Sequence, residues 1–322
     1  MRFGIIGYGN LGSGVERVAA LTKDAQVLGV FTRRDPKEVP TLGSRVYSID
    51  KLMDFKDKID VCILCGGSAS DLPKQTPEIT EHFNTVDSFD NHGEIPEHFK
   101  KVNKVAKANN KVSIISAGWD PGLFSINRLM GEAILPDGHS HTFWGKGVSQ
   151  GHSDAIRRVE GVKRGVQYTL PNEEAIDMIY SGQKFELSAA DKHTRLCYCV
   201  LENGANEDEV RQKIVTMPNY FADFKTTVHF IGEEEFKRKH SGMPHGGRVL
   251  RIGETNEEIK QVYEFSLRLD SNPQFTASVI LAYARACYRL SEKEKRGAFT
   301  VLDIPPKYLS TKSQIELQTE LL

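Results

Sequence analysis

The first 120 residues alternate short apolar runs with amphipathic stretches. The runs predict buried strands at Phe3–Gly7, Ala25–Phe31, Val46–Ser48, Val61–Leu64, Asn84–Asp87 and Ser113–Ser116. The amphipathic stretches predict helices that include Gly12–Leu21, Glu78–His82 and Glu97–Asn109. Strands that alternate with helices at this spacing are typical of βαβ units. Because both faces of such a sheet are covered by helices, continuous apolar strands predict a parallel sheet.

The pattern changes after Asp120. Pro121–Ile134 predicts one helix, and longer strands of alternating character follow at Val166–Leu170, Thr194–Leu201, Lys225–Ile231, Arg248–Gly253 and Tyr263–Leu269. Two glycine-rich segments, Gly147–His152 and Gly242–Gly247, are predicted to be loops. A long helix at Phe275–Leu290, a strand at Phe299–Ile304 and a helix at Leu309–Leu321 complete the chain.

These patterns predict an α/β protein with two domains. Residues 1–120 are expected to form a Rossmann-type dinucleotide-binding domain, and residues 121–272 a second, α+β domain with a mixed sheet. The segment of about 273–322 is expected to pack back on the first domain.

Composition narrows the class of protein. The formal net charge of −1 gives no reason to expect nucleic acid or an anionic membrane as the main partner. No apolar run is long enough to span a membrane, and the N-terminus enters a strand at once, so we expect a cytoplasmic protein. Cys62 and Cys65 lie in an apolar strand, which favours a role in the core over a redox or metal site. The histidines show no metal-ligand pattern, and no metal is expected.

A glycine-rich motif follows the first strand directly. Gly7, Gly9 and Gly12 form G-x-G-x-x-G, and Tyr8, Asn10 and Leu11 fill the positions between them. In a dinucleotide site the first glycine permits a tight turn, the second lets the backbone approach the pyrophosphate, and the third allows close packing of helix on strand. The helix N-terminus then offers free N–H groups to the phosphates. The alternative is a glycine-rich turn without a ligand.

The end of the second strand indicates which dinucleotide binds. An NAD site usually carries an acidic residue there, about 20 residues beyond the glycines, to accept from the ribose 2′-hydroxyl. This chain has Thr32, Arg33 and Arg34 instead. A hydroxyl and two guanidinium groups suit a 2′-phosphate, so the sequence predicts NADP. The alternative is a pair of arginines on a solvated loop.

Three further strand ends carry polar or small residues, and ligands of such sheets bind at this edge. They are Cys65–Asp71, Asp87–His92 and Ala117–Gly122. Asp90 and Asp120 are expected to project into one crevice, where two carboxylates can hold an ammonium group or act as a base. The alternative is that each caps a following helix.

The second domain offers a different set of polar side chains. Thr169 and Arg195 lie on separate predicted strands, and His245 lies in a predicted tight loop. A group of this kind can receive a carboxylate. The alternative for Arg195 is an ordinary surface position.

The sequence closely resembles those of the meso-diaminopimelate D-dehydrogenase family. The resemblance covers nearly the whole chain, and eight segments carry it: GYGNLG (7–12), DSFDNH (87–92), GWDPG (118–122), TFWG (142–145), SQGHSD (149–154), QYTLP (167–171), GMPHGG (242–247) and NPQFTA (272–277).

The resemblance implies a reaction and a set of contacts. The reaction is the reversible, NADP-dependent oxidative deamination of the D-centre of meso-2,6-diaminopimelate to L-2-amino-6-oxopimelate and ammonia, in lysine biosynthesis. The second domain would also form a homodimer. The implied substrate contacts are Asp90, Asp120, Trp144, Gln150, Gly151, Thr169, Arg195, His245 and Asn272, with Asp90 and Asp120 as the catalytic residues. The implied cofactor contacts are Gly7, Tyr8, Gly9, Asn10, Leu11, Gly12, Thr32, Arg33, Arg34, Cys65, Gly66, Gly67, Ser68, Ser88, Phe89, Asp90, Ala117, Gly118, Trp119, Asp120 and Pro121.

Two other functions remain open on sequence grounds. One is a different NADPH-dependent oxidoreductase of this architecture, such as a dihydrodipicolinate reductase or a sugar dehydrogenase. A sugar dehydrogenase of that type usually has a Glu-Lys-Pro motif, whereas Ala117–Pro121 contains no lysine. The other is a non-catalytic NADPH-binding regulator, which would be expected to have lost the polar residues that this chain retains.

Overall fold

The computed structural model describes residues 1–181, 186–256 and 259–322. Its strands are β1 (Arg2–Ile6), β2 (Gln26–Thr32), β3 (Val46–Ser48), β4 (Val61–Leu64), β5 (Thr85–Asp87), β6 (Val112–Ile114), β7 (Gly138–Trp144), β8 (Gly147–Val148), β9 (Val162–Pro171), β10 (His193–Leu201), β11 (Thr226–Phe230), β12 (His245–Asn256), β13 (Ile259–Leu269) and β14 (Gly297–Phe299). Its α-helices are α1 (Asn10–Ala20), α2 (Leu72–Thr80), α3 (Ile95–Ala108), α4 (Leu123–Ile134), α5 (Gln150–Arg157), α6 (Glu173–Tyr180), α7 (Ala189–Lys192), α8 (Glu207–Val215), α9 (Glu233–Lys239), α10 (Asn272–Glu292) and α11 (Gln314–Leu321).

The chain forms two compact units. Unit 1 contains Met1–Ile126 and Pro273–Leu322, and unit 2 contains Asn127–Asn272. The sheet of unit 1 has seven parallel strands in the order β14-β6-β5-β4-β1-β2-β3, which is the doubly wound dinucleotide-binding order with β14 added beside β6. Unit 2 holds separate mixed and antiparallel sheets. The predicted fold class, a Rossmann-type domain with a second mixed-sheet domain, is confirmed.

The central strands of unit 1 are buried on both faces. Phe3 and Ile5 of β1 pack in one apolar cluster, while Ile6 packs in a second cluster on the opposite face. The first cluster includes Ile280 and Ala284 of α10, so the C-terminal helix supplies part of this core. Continuous apolar strands are thus explained by a helical layer on each side of the sheet.

A buried carboxylate at the end of β5 ties neighbouring strand ends together. Asp87 is 0% exposed and accepts hydrogen bonds from Thr76 Oγ1 at 2.8 Å and from His98 Nε2 at 2.9 Å. Its other oxygen accepts from the backbone N–H groups of Phe89 at 3.1 Å and Ser116 at 2.8 Å. A carboxylate taken out of water is stable only when its oxygens are satisfied, so Asp87 fixes the turns after β5 and β6.

Unit 2 contains two sheets. The four-stranded sheet has the order β11-β10-β9-β8, in which only the β10–β11 pair is parallel, and the three-stranded sheet β13-β12-β7 is antiparallel. Strand register places Arg195 of β10 opposite Thr169 of β9, and Thr169 opposite Gly147 of β8. Three residues that are distant in sequence thereby become neighbours.

His193 links the two sheets of unit 2. This residue of β10 is 2% exposed, and its Nε2 accepts from the backbone N–H of Trp144, at the end of β7, at 2.9 Å. Its Nδ1 lies 3.2 Å from the carbonyl of Ala189. One ring nitrogen must accept while the other donates, so the bonds require a neutral imidazole. Burial lowers the pKa of His193 to about 4, which agrees with this requirement.

Several predicted elements differ from the structure. The segment Gly147–His152 is wrong as a loop: it contains β8 and the first turn of α5, whose N-terminus is capped by Ser149 accepting from the His152 N–H. Phe299–Ile304 is wrong as a strand, since β14 ends at Phe299 and a 3₁₀ turn follows at Val301–Asp303.

Further differences concern the boundaries of elements and one strand that the pattern does not predict. His245 begins β12 rather than lying in a loop, and the last helix covers Gln314–Leu321 only. The strand at Gly138–Trp144 was not predicted, because Phe143 is its one fully buried side chain and gives little apolar signal.

We predict that His193 makes the stability of the protein depend on pH. The folded state holds its pKa near 4, below the ordinary value of about 6.5, so the unfolded state binds the proton more readily. Its stabilising effect is complete above about pH 6.5 and is lost as the pH falls towards 4, by roughly 2 kcal/mol between pH 7 and pH 5. Denaturant unfolding at these two pH values should therefore show a smaller stability difference for His193→Gln than for the wild type.

The matched control is His229→Gln, because His229 is an exposed residue on β11. This variant should keep the wild-type difference between the two pH values. If His193→Gln also kept it in full, another group would carry the effect.

Candidate active site

The glycine motif of unit 1 has the geometry that a bound dinucleotide requires. Gly7 has a φ of +89°, a conformation that favours glycine in the turn after β1. A Cβ on Gly12 would lie 2.3 Å from the Gly7 carbonyl oxygen, so only glycine lets α1 approach β1 this closely. A Cβ on Gly9 would meet no atom within 4 Å, which leaves the backbone open on the side where a pyrophosphate approaches. Asn10 and Leu11 form the first turn of α1, whose N–H groups add to the site.

A cleft of about 280 Å³ lies beside this motif at the end of β2. Its lining includes the predicted cofactor residues Gly7, Tyr8, Gly9, Thr32, Arg33, Arg34, Cys65, Gly66 and Gly67. The Arg34 backbone N–H donates to Thr32 Oγ1 at 3.1 Å, and its guanidinium donates to the Tyr8 carbonyl. The structure thus groups the hydroxyl and both guanidinium groups at one edge of unit 1, as a 2′-phosphate would need.

Asp71 is a cleft residue to which sequence reasoning assigned no role. Its carboxylate accepts from Arg33 Nη2 at 2.7 Å and from the Gly67 N–H at 2.9 Å. The hydrogen bond from the Gly67 N–H, and after it the Arg33 guanidinium, hold the pKa of this carboxyl below its usual range. Arg33 is therefore already paired within the cleft, and a phosphate would have to share or replace Asp71.

The strand-end segments that follow β4 and β5 are joined by a hydrogen bond. Ser68 Oγ accepts from the Asp90 backbone N–H at 2.8 Å. Asp90 itself is exposed, whereas Phe89 is buried and stacks on His98 with 4.3 Å between ring centroids. Ser88, which precedes Phe89, is half-buried. The buried Phe89 and the Ser68 bond hold the Asp90 backbone while its side chain reaches solvent.

The segment after β6 folds back tightly around Asp120. The Ala117 N–H donates to the Asp87 carbonyl at 2.9 Å, and the Leu123 N–H donates to the Gly118 carbonyl at 3.1 Å. Gly122 has a φ of +135°, and a Cβ there would lie 1.7 Å from the Gly118 oxygen. Trp119 is buried against Phe124, and Asp120 and Pro121 form the tip of the turn. Because Asp87 fixes both this turn and that of Asp90, unit 1 holds the two aspartates on neighbouring strand ends.

Unit 2 carries a half-buried cation on its four-stranded sheet. Arg195 Nη1 donates to Thr169 Oγ1 at 2.6 Å, and the guanidinium carbon lies 3.9 Å from the centre of the Phe224 ring. Its Nε is buried and has no partner in the described part of the chain. Burial lowers the pKa of Arg195, yet a guanidinium keeps its charge at any physiological pH.

The surroundings of Arg195 do not neutralise its charge. Within 1–181, 186–256 and 259–322, no carboxylate contributes to the pKa of Arg195. The nearby ring of His152 is neutral, since burial first and Arg195 second lower its pKa to about 4. A buried charge is costly unless a partner compensates for it, so this position favours an anionic ligand.

His245 and Asn272 lie beside the same strands. A Cβ on Gly147 would be 2.5 Å from the His245 ring, so the imidazole packs directly on the backbone of β8. The Val148 N–H donates to the Pro244 carbonyl at 2.9 Å, and the Asn272 N–H donates to the Met243 carbonyl at 2.9 Å. Gly147 pairs with Thr169, so the His245 ring lies next to the position of Thr169, while Asn272 is attached to the segment just before His245.

The remaining predicted residues of unit 2 are exposed at the ends of β7 and β8. Trp144 is 37% exposed and stacks on His193 with 5.4 Å between centroids. Gln150 and Gly151 open α5 and are also exposed. The Ser149 N–H donates to the Gln167 carbonyl at 3.0 Å, which attaches this helix start to β9.

Three residues with evident roles were missed from the sequence: Asp87, Asp71 and Phe224. Asp87 ends the short segment Asn84–Asp87, and nothing in that segment indicates a carboxylate with four hydrogen bonds. Asp71 and Phe224 gain their partners only when segments 38 and 29 positions away fold against them.

No helix in the described ranges is long and apolar enough to cross a membrane. Those residues also contain no group of three histidine, cysteine or acidic side chains placed to hold a metal ion. All five cysteines are free thiols, and burial raises the pKa values of the thiols of Cys62 and Cys65.

The chain is similar to known proteins over its whole length. Residues 118–271 match the family model of the diaminopimelic acid dehydrogenase C-terminal domain. The meso-diaminopimelate D-dehydrogenase of Ureibacillus thermosphaericus is 57% identical, over 100% of this chain and 99% of that protein.

Solved structures agree with these matches. A multiply substituted meso-diaminopimelate dehydrogenase of Clostridium tetani with DAP matches with a TM-score of 0.93, 54% identity and coverage of 100% of this chain and 99% of that one. An engineered D-amino acid dehydrogenase bound to NADP+ matches with a TM-score of 0.86, 39% identity and the same coverage. At this identity, over the whole length of both proteins, the chain belongs to the meso-diaminopimelate D-dehydrogenase family.

Proposed function

We propose that the protein catalyses the NADP-dependent, reversible oxidative deamination of the D-centre of meso-2,6-diaminopimelate. The products are L-2-amino-6-oxopimelate, ammonia and NADPH, and the reaction serves lysine biosynthesis. The single observation that carries the substrate assignment is Arg195, a half-buried cation that is bound to Thr169 and has no compensating carboxylate among the residues that the structure describes. Family membership at 57% identity supports the same reaction.

The dinucleotide belongs to unit 1 in this proposal. Gly7, Gly9 and Gly12 fit the pyrophosphate, and Thr32, Arg33 and Arg34 fit the 2′-phosphate. The proposed contacts also include Tyr8, Asn10 and Leu11, the segment Cys65–Ser68, and the strand-end segments Ser88–Asp90 and Ala117–Pro121. When bound, NADP+ supplies the acceptor for the hydride that leaves the D-carbon.

Asp90 and Asp120 are the proposed catalytic residues. The D-centre carries an ammonium group, and two carboxylates can hold that cation and take its proton before the carbon–hydrogen bond breaks. The carbon then loses a hydride and the nitrogen loses a second proton, which leaves an imine. Water hydrolyses this imine to the ketone, and the nitrogen leaves as ammonia. Both turns donate a backbone N–H to Asp87, from Phe89 and from Ser116, and these bonds fix the two turns relative to each other.

Unit 2 supplies the proposed contacts to the rest of the substrate. Arg195, Thr169 and His245 bind the carboxylate at the L-centre, since the guanidinium presents planar donors to a carboxylate. Trp144, Gln150, Gly151 and Asn272 are proposed to line the remainder. Contacts to both charged ends of the substrate would allow the enzyme to distinguish D from L.

We further propose that the protein is a homodimer of cytoplasmic chains. Gly131 lets α4 pack on the three-stranded sheet of unit 2, because a Cβ there would lie 3.1 Å from Arg251 Cβ and 3.3 Å from Tyr263 Cδ1. The helix leaves Leu129, Met130 and Ile134 at 45–55% exposure. Apolar side chains that cluster in this way mark protein interfaces. The free thiols fit a reducing compartment.

The first prediction concerns the reaction itself. The protein is mixed with NADP+ and separately with meso-, LL- or DD-diaminopimelate, and NADPH formation is followed by absorbance. We expect turnover with the meso form and none with the LL form, which has no D-centre. NAD+ in place of NADP+ should lower kcat/KM at least about tenfold, because it lacks the phosphate that Arg33 and Arg34 would bind. Absence of NADPH with all three isomers would refute the proposed reaction.

Arg195→Met should damage substrate binding selectively. Loss of a charged hydrogen-bonding partner is expected to lower kcat/KM for meso-diaminopimelate by about 10²–10³-fold, while the Kd of NADPH stays within a factor of about two. Arg164→Met is the matched control, because Arg164 is an exposed residue on β9 paired with Glu233. Equal kcat/KM values for Arg195→Met and wild type would rule out the carboxylate contact.

The dimer is tested by sedimentation equilibrium. The wild type should sediment as a dimer, and Leu129→Asp combined with Ile134→Asp should shift it to the monomer because buried charges oppose association. Leu21→Asp, at an 86% exposed position of unit 1, should remain dimeric. A monomeric wild type, or a dimer that survives the double substitution, would contradict this interface.

A further inference from the structure

Gln167 is a buried amide on the same strand as Thr169. It is 0% exposed, and because it precedes Thr169 by two residues its side chain lies on the same face of β9. Register places it opposite Cys197 of β10, itself fully buried. A buried amide in an apolar setting needs hydrogen-bonding partners, so its contacts show what it does.

The backbone of Gln167 holds the start of α5. Its N–H donates to Ser153 Oγ at 2.9 Å, and its carbonyl accepts from the Ser149 N–H at 3.0 Å. Ser153 Oγ in turn donates to the Ser149 carbonyl. Gln167 takes part in these bonds with its main-chain atoms only, so its amide side chain is available for a separate role.

The side chain of Gln167 acts on the hydroxyl of Thr169. Its Nε2 donates to Thr169 Oγ1 at 3.3 Å, and the same oxygen accepts from Arg195 Nη1 at 2.6 Å. A hydroxyl oxygen has two lone pairs and one proton. Two donors occupy both lone pairs, so the proton of Thr169 can only be donated outwards. Gln167 Oε1 has no partner in the described residues and does not take that proton.

We propose that Gln167 is a positioning residue for substrate recognition. By donating to Thr169 it turns the threonine hydroxyl into a dedicated donor, which then binds an oxygen of the carboxylate held by Arg195. The inference rests on the proposed function, in which Thr169 and Arg195 bind the L-centre carboxylate of diaminopimelate. It assigns Gln167 a share in the specificity for a substrate with a second carboxylate, although Gln167 does not touch that substrate.

The test is a double-mutant cycle of Gln167→Met and Thr169→Val. Steady-state kinetics gives KM and kcat for meso-diaminopimelate and KM for NADP+ in each variant. Gln167→Met alone should raise the KM for diaminopimelate about five- to tenfold, with less than a twofold change in kcat and in the KM for NADP+. In the Thr169→Val background the same substitution should change that KM by less than about twofold, because the hydroxyl it acts on is gone.

Thr169→Ser provides the matched background. It keeps the hydroxyl, so Gln167→Met should again raise KM about five- to tenfold in it. Gln167→Glu preserves the size and shape of the side chain and replaces the amide donor by a carboxyl group. Its carboxylate accepts the threonine proton instead of donating, so KM should rise more than in Gln167→Met.

The outcomes separate this inference from the proposed function. If the wild type turns over diaminopimelate and Thr169→Val impairs it, but Gln167→Met raises KM equally in the valine and serine backgrounds, Gln167 only packs the sheet. A Gln167→Glu variant with wild-type KM would overturn the positioning role as well. A wild type without diaminopimelate turnover would instead refute the proposed function, and this inference with it.

Discussion

The carboxylate of Asp87 is the constraint on which the turns after β5 and β6 of unit 1 depend. It is completely buried, and its two oxygens accept from Thr76, His98 and the backbone of Phe89 and Ser116. Loss of any of these donors would leave a lone pair unsatisfied in a medium without water. The turns that follow β5 and β6 therefore cannot move independently of the carboxylate. Asp90 and Asp120 reach solvent, but the positions of their backbones are determined in the core.

Unit 2 fixes its polar residues by a different means. Thr169, Arg195 and Gln167 project from paired strands, where register alone sets their spacing. The other proposed residues lie at the ends of strands or at the starts of helices, and backbone bonds hold them there, as at Asn272, whose N–H donates to the Met243 carbonyl. Groups held on strands keep their geometry better than groups on loops. Under the proposed function, the specificity for a carboxylate would therefore lie on the strands of this unit.

The sequence predicts what local rules determine and misses what distant contacts decide. The βαβ pattern and the roles predicted for Gly7, Gly9 and Gly12 follow from backbone geometry within a dozen residues. The parallel sheet of unit 1 has the strand order that this pattern predicts. The start of α5 was mistaken for a loop, because Gly151 obscures the capping role of Ser149. For Arg195 the sequence left a surface position open, since its burial requires the ring of Phe224, 29 positions away. The role of Asp87 could not be predicted, because an aspartate in the sequence can be either a buried hydrogen-bond acceptor or an exposed acid.

The two arginine sites differ in how their charge is compensated before a ligand arrives. Arg33 is paired with Asp71, so anion binding there must compete with an existing partner. Around Arg195 burial keeps His152 and His193 neutral, and these rings neither share nor cancel its charge. A half-buried guanidinium with no counter-ion in the described part of the chain lowers the stability of the protein, and a bound carboxylate would restore it. Under the proposed function, affinity for the substrate carboxylate would arise from this uncompensated charge, because stability is given up where the ligand binds.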